Sequence, residues 1–289
     1  MKKLIIIGLF IFSGCSSPHF DIIINNGKIA DGSGSKLFSA NIYIKNGKII
    51  EIGNLPNALG DKVLDAQDLI IAPGFIDMHT HAERRSLEFP TVENYLQQGV
   101  TTIVGGNCGG SPFPINDFME KTVQKGIGPN LALLIGHNTV RKEVMGTENR
   151  LATNKEIDEM QSIIQSAMNE GAFGMSTGLK YIPGAYSNTE EVIALASTVS
   201  KNMGIYATHM REEGIGLIKS VKEAIDIGRK ANLPVQISHH KAVGKTMWGN
   251  SIKTLELIEE ANAEGIKVTA DQYPYTATST GLTVVFPAW

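Results

Sequence analysis

The sequence predicts an α/β protein: a parallel (β/α)8 barrel of the TIM type, strands one to seven present, behind a small N-terminal β-sandwich portion. Three observations predict it. From about residue 69, short apolar runs alternate with helical segments, giving seven β units, and such alternation means a parallel sheet. Every histidine except His19 stands where one of those runs ends, which is where barrel active sites lie. No G-x-G-x-x-G motif follows the first run, which argues against an open doubly wound sheet.

Composition sets the outer limits. The 289 residues carry a net charge of −3, with 42% hydrophobic and 19% charged residues. That is too apolar for disorder and too neutral for a nucleic-acid binder. Two cysteines exclude a disulfide scaffold.

The chain opens with Lys2 and Lys3, then an apolar run over residues 4–12, then Ser13, Gly14 and Cys15. Nine apolar residues suit a signal peptide and are too few for a spanning helix. The segment resembles a bacterial lipobox, so residues 1–15 are expected to be a lipoprotein signal with lipid on Cys15. The mature chain would be exported and held to a membrane, periplasmic or outer, only through that anchor. Loss of the two lysines would take its charge from −3 to −5, leaving no basic patch for anionic lipid.

Residues 20–68 are expected to form the small, antiparallel β portion. Residues 20–25 are mostly apolar and β-branched and precede an Asn26-Gly27 turn; residues 41–44 and 48–52 flank Asn46-Gly47, a hairpin signal. Residues 69–289 are expected to be the incomplete barrel. Its strands fall at 69–76, 101–104, 131–135, 173–176, 205–208, 235–238 and 266–270. Helices fall near 92–98, 117–124, 155–169, 189–202, 216–231 and 251–263. Thr153 and Glu156 form a capping box ahead of the third of these helices.

The residues that carry chemistry cluster at the strand ends. Asp77, His79 and His81 alternate just after the first barrel strand, so they share a face. Two imidazoles so placed suit a divalent metal. His209 ends strand five. At the end of strand six, His239 and Lys241 face one way and His240 the other, where it packs between barrel and helix. Cys108 lies in a Gly-Gly-Asn-Cys-Gly-Gly turn after strand two. A lone thiol in an oxidising compartment calls for burial, metal ligation or reactivity, and a thiolate beside imidazoles is a good zinc ligand.

Together these segments resemble the amidohydrolase superfamily, in particular its N-acyl-D-amino-acid deacylase branch. The resemblance rests on Pro73-Gly74-Phe75-Ile76-Asp77-Met78-His79-Thr80-His81, Gly106-Asn107-Cys108-Gly109, Gly136-His137-Asn138-Thr139-Val140-Arg141 and Ser176-Thr177-Gly178-Leu179-Lys180-Tyr181. It rests equally on Thr208-His209-Met210-Arg211, Ser238-His239-His240-Lys241 and Asp271-Gln272-Tyr273-Pro274-Tyr275. It implies a zinc-dependent hydrolase that cleaves N-acyl-D-amino acids to a carboxylate and a D-amino acid. Cys108, His209 and His239 would hold one tight zinc, and His79 and His81 a second, weaker metal. Lys241, Tyr181 and Tyr273 would hold the substrate carboxylate; Lys241 has no acidic neighbour in its own segment. Other branches bridge two metals with a carboxylated lysine near the place of Lys180; here Cys108 takes that role. The general base implied is an aspartate on strand eight, beyond Trp289, and Asp271 does not replace it. The chain is therefore expected to be a fragment, poorly soluble and inactive alone. The alternatives are a cyclic-amide hydrolase of the dihydroorotase or hydantoinase kind, or a non-catalytic lipoprotein.

Overall fold

The computed structural model describes residues 17–285; the expected signal segment and Cys15 lie outside them. The described residues divide into two compact units, with the boundary between Pro73 and Gly74.

The first unit is all β. Its strands are β1 (His19–Asn25), β2 (Lys28–Ile29), β3 (Phe38–Ser39), β4 (Asn41–Lys45), β5 (Lys48–Gly53), β6 (Leu59–Asp65) and β7 (Ile70–Ile71). They form two sheets, ordered β5-β4-β1-β6 and β3-β2-β7. The β4–β5 hairpin turns at Asn46 and Gly47, with φ of 53° and 70°, the left-handed pair such a two-residue turn demands. The unit is not purely antiparallel as expected: β1 pairs β6 in parallel, and β2 pairs β7 in parallel. Both pairings join strands distant in sequence, beyond the reach of local turn signals.

The second unit begins with β8 (Phe75–Asp77), followed by α1 (Glu83–Ser86), α2 (Glu93–Leu96) and β9 (Val100–Gly105). Next come α3 (Ile115–Lys125), β10 (Asn130–Leu133), β11 (Ile135–Gly136), α4 (His137–Met145) and α5 (Asn154–Asn169). The remainder is β12 (Gly174–Gly178), α6 (Thr189–Lys201), β13 (Ile205–His209), α7 (Leu217–Ala231), β14 (Val235–Ile237), α8 (Ser251–Ala263) and β15 (Val268–Ala270). All ladders here are parallel, in the orders β8-β9-β10 and β11-β12-β13-β14-β15. Only Leu134 separates β10 from β11, so the strands follow one another in sequence order across both sheets. This is the progression of a TIM-type barrel; among the described residues no ladder joins β8 to β15.

Period-two alternation sorts the core. Leu133, Ile135, Met175, Tyr206, Val235 and Ile237 face the helices and pack with residues such as Ile164, Leu195 and Val221. Val104, Ala132, Leu134 and Ala207 form a separate cluster with Met78. Alternate residues of one strand thus serve opposite sides.

Several boundaries differ from expectation. The strand expected over residues 69–76 is divided between β7 in the first unit and β8 in the second, with Pro73 between them. Its side chains are also exposed, Ile70 by 61% and Phe75 by 63%, so the apolar run does not mark a buried strand. The helix expected near 92–98 shrinks to α2, because Val92 adopts a left-handed φ of 46°. α4 was not expected; it starts directly from a strand, with no side chain capping it. The capping box is present: Thr153 Oγ1 accepts from Glu156 N, and Thr153 N donates to Glu156 Oε2 at 2.8 Å.

Candidate metal centre and active site

The ends of β8, β9, β13 and β14 converge on one thiol. Cys108 Sγ lies 3.4 Å from His79 Nε2, 3.8 Å from His209 Nδ1 and 3.8 Å from His239 Nε2. Two donor sets share it: His79, His81 and Cys108, and Cys108, His209 and His239, each with all donor atoms within 4.8 Å of one another. The five residues assigned from sequence to two metal positions are therefore brought together, with Cys108 in both.

The donor set fits zinc. Zn–S of about 2.3 Å and Zn–N of about 2.0–2.1 Å at the tetrahedral angle put sulfur and nitrogen about 3.6 Å apart, within the 3.4–3.8 Å spread seen here. The electrostatics call for positive charge at the thiol. Burial pushes the Cys108 thiol up, but His209, His239, His79 and His81 outweigh it and pull it down to about 2. Burial likewise lowers His79, but Asp271 and Cys108 raise it to about 10. A thiolate so placed has the chemistry of a metal ligand, which an inert buried cysteine lacks.

The backbone is bent to make this cluster. Cys108 and His239 hold φ of 55° and 38°, left-handed values that cost a non-glycine residue energy and collect at functional sites. Asp271 Oδ1 holds the strained turn by accepting from His239 N at 2.6 Å. Gly109, at φ +78°, packs so closely that a Cβ would stand 2.6 Å from Gly178 N. Asn107, fully buried, donates Nδ2 to Val104 O at 2.9 Å and closes the turn from beneath.

Carboxylates stand behind three of the imidazoles. Asp271 Oδ1 is 3.5 Å from His79 Nδ1, Glu83 Oε1 is 3.9 Å from His81 Nδ1, and Glu213 Oε1 is 2.9 Å from His239 Nδ1. Carboxylates in such places fix the ring orientation and tautomer of metal-binding histidines. Asp271 also accepts from Gln236 Nε2 at 2.8 Å. Burial raises its carboxyl, but His79, Gln236 and the His239 amide outweigh that and hold it below the ordinary range. A committed acceptor so depressed is a poor general base.

The cluster opens into a cavity of about 720 Å³ lined also by Asp77, Lys180, Tyr181, Lys241 and Tyr273. Tyr181 packs its ring 4.6 Å from that of His209, and its hydroxyl is 3.0 Å from Thr280 Oγ1. Lys241 Nζ lies 5.7 Å from the Tyr273 ring centre. Lys241 has no acid in its own segment, as the sequence shows, but an acid from another segment reaches it. Its Nζ donates to Glu213 Oε1 at 2.6 Å, and the acid comes from the loop after β13. Lys180 instead donates to Glu212 Oε2 at 3.3 Å. His240 turns away, with Nε2 2.7 Å from Thr254 Oγ1 on α8, as the alternation predicts. His137 is also outside the cluster: it is fully buried with Arg141 against Glu191.

Sequence reasoning missed Glu213 and Glu83. The signal for Glu213 was a lysine on an inward face with no acid in its own segment, which calls for an acid from another.

The sequence profile of the amidohydrolase family matches residues 62–274. The D-aminoacylase of Alcaligenes xylosoxydans xylosoxydans is 38% identical, the match covering 93% of this chain and 60% of that protein. Among solved structures, the N-acyl-D-glutamate deacylase of Bordetella bronchiseptica superposes with a TM-score of 0.86 at 33% identity, covering 89% of this chain and 59% of that one. That protein was crystallised with zinc and a phosphonate mimic of the tetrahedral intermediate. A D-aminoacylase described as having a binuclear metal centre, activated by one metal and attenuated by a second, superposes with a TM-score of 0.84 at 35% identity, covering 89% and 59%. The chain spans about three-fifths of the length of these relatives.

Proposed function

The chain belongs to the amidohydrolase family, and from that premise we propose that it is the metal-binding part of a deacylase that hydrolyses N-acyl-D-amino acids to a carboxylate and a D-amino acid. The observation that carries the reading is the thiol of Cys108 met by imidazoles from three other strand ends at the mouth of a cavity. The similarity to D-aminoacylase and to N-acyl-D-glutamate deacylase supports it.

In this reading Cys108, His209 and His239 hold a tight zinc, and His79 and His81, sharing Cys108, a second and weaker one. A divalent cation in such a site lowers the pKa of water towards about 7 and polarises the scissile carbonyl. Cys108 supplies the negative charge that retains the cation. Asp271 sets the orientation of His79. Tyr181, Tyr273 and Lys241 line the wall on which the substrate's α-carboxylate rests.

Lys241 gives the sharpest test of substrate class. Loss of one partner of a buried charged contact costs roughly 2–5 kcal/mol. Lys241→Met is expected to weaken calorimetric binding of an N-acyl-D-amino acid by about that much. The matching amide, which lacks the carboxylate, should bind almost as before. Equal losses on both ligands would remove Lys241 from carboxylate recognition.

We also propose that the chain is exported and lipid-anchored through Cys15. The support is the short apolar run over residues 4–12 followed by Ser13 and Gly14. On phase separation in detergent, the unsubstituted protein should enter the detergent phase and Cys15→Ser the aqueous one. Aqueous partitioning of both would end the proposal.

A further inference from the structure

The loop after β13 places one carboxylate oxygen between two functional side chains. Glu213 Oε1 lies 2.9 Å from His239 Nδ1 and 2.6 Å from Lys241 Nζ. Lys241 Nζ is itself 2.9 Å from His239 Nδ1 and donates to His239 O at 2.9 Å. His239, Glu213 and Lys241 are all largely buried, at 13%, 12% and 23% side-chain exposure, so water competes little for these contacts.

The two neighbours ask opposite things of the imidazole. An ammonium only donates, so Lys241 favours the tautomer in which Nδ1 is bare and Nε2 carries the proton. A carboxylate only accepts, so Glu213 favours the tautomer in which Nδ1 carries the proton and Nε2 is bare. Nε2 is the atom that faces Cys108 Sγ, at 3.8 Å. A bare Nε2 is what a cation shared with Cys108 requires.

We propose that Glu213 is a positioning residue that decides this contest: it holds His239 in its Nδ1–H tautomer, and the same oxygen accepts from Lys241, giving the ammonium a partner other than the ring. One carboxylate oxygen thereby links the metal position to the cavity's buried cation. The inference rests on the zinc reading of the preceding section and adds a residue to it.

The test is zinc affinity, measured by chelator competition on the unsubstituted protein, Glu213→Gln and Lys241→Met. Removing a carboxylate behind a metal-binding histidine typically weakens the metal by about 10–100-fold. Glu213→Gln should show that loss. Lys241→Met should bind zinc no more weakly than the unsubstituted protein, because it removes a group that favours the other tautomer. Thermal melts of both variants monitor folding independently of metal. Unchanged zinc affinity in Glu213→Gln would overturn the inference alone. Equal losses in the two variants would also overturn it, because Glu213 would then act only by pairing the lysine. Absence of zinc binding by the unsubstituted protein would overturn the metal reading and this inference with it.

Discussion

Glu191→Ala is expected to lower the melting temperature by roughly 6–20 °C. This follows from about 3–5 kcal/mol for breaking a buried ion pair and about 2–4 °C per kcal/mol for a domain of this size. Glu191, at 1% side-chain exposure, accepts from His137 Nε2 at 2.9 Å and from Arg141 Nη1. Arg141 and His137 are fully buried. Removing the carboxylate leaves Arg141 as an uncompensated buried charge beneath the strand end that starts α4. The effect carries a pH signature. Burial raises the Glu191 carboxyl, but His137 and Arg141 outweigh it and hold it below its ordinary value. A group depressed on folding stabilises the protein above its unfolded pKa, here about 4.3. The contribution is lost as pH falls through the lower folded value. Melting curves of the two proteins should therefore lie far apart at neutral pH and draw together well below pH 4. A gap that is small at neutral pH, or constant down to strong acid, would contradict the triad's role.

What the sequence made legible was local or periodic. The Asn46-Gly47 hairpin, the Thr153–Glu156 capping box and the apolar runs that become β9, β12, β13 and β14 depend on residues a few positions apart. The cluster of His79, His81, Cys108, His209 and His239 was legible for a related reason. A parallel barrel sends all strand ends to one side, so histidines at strand ends must meet, however far apart in sequence. His209 and His239 reach Cys108 across 101 and 131 residues on that principle alone. The rest depends on contacts that neither local pattern nor topology specifies. Glu213 reaches Lys241 from 28 residues away, out of a loop. Glu83 stands on a four-residue helix with no periodicity to announce it. β1 joins β6 in parallel at a separation that turn chemistry does not encode. The run at 69–76 is apolar without being buried: Leu69, Ile70, Phe75 and Ile76 are all exposed.

The most direct test of the central claim is the zinc content of the unsubstituted protein beside that of Cys108→Ala. Cys108 belongs to both candidate donor sets and is their one potential anion. Losing a group behind a ligand costs about 10–100-fold in affinity, so losing the ligand itself should cost more than about 100-fold. Cys108 lies in a strained turn, at φ 55°, so alanine there adds no bulk and relieves no clash; the fold should survive, as a melting curve will show. The account predicts about one tightly held zinc per chain in the unsubstituted protein after dialysis against a weak chelator. It predicts essentially none in Cys108→Ala. Equal zinc in two folded proteins would contradict it.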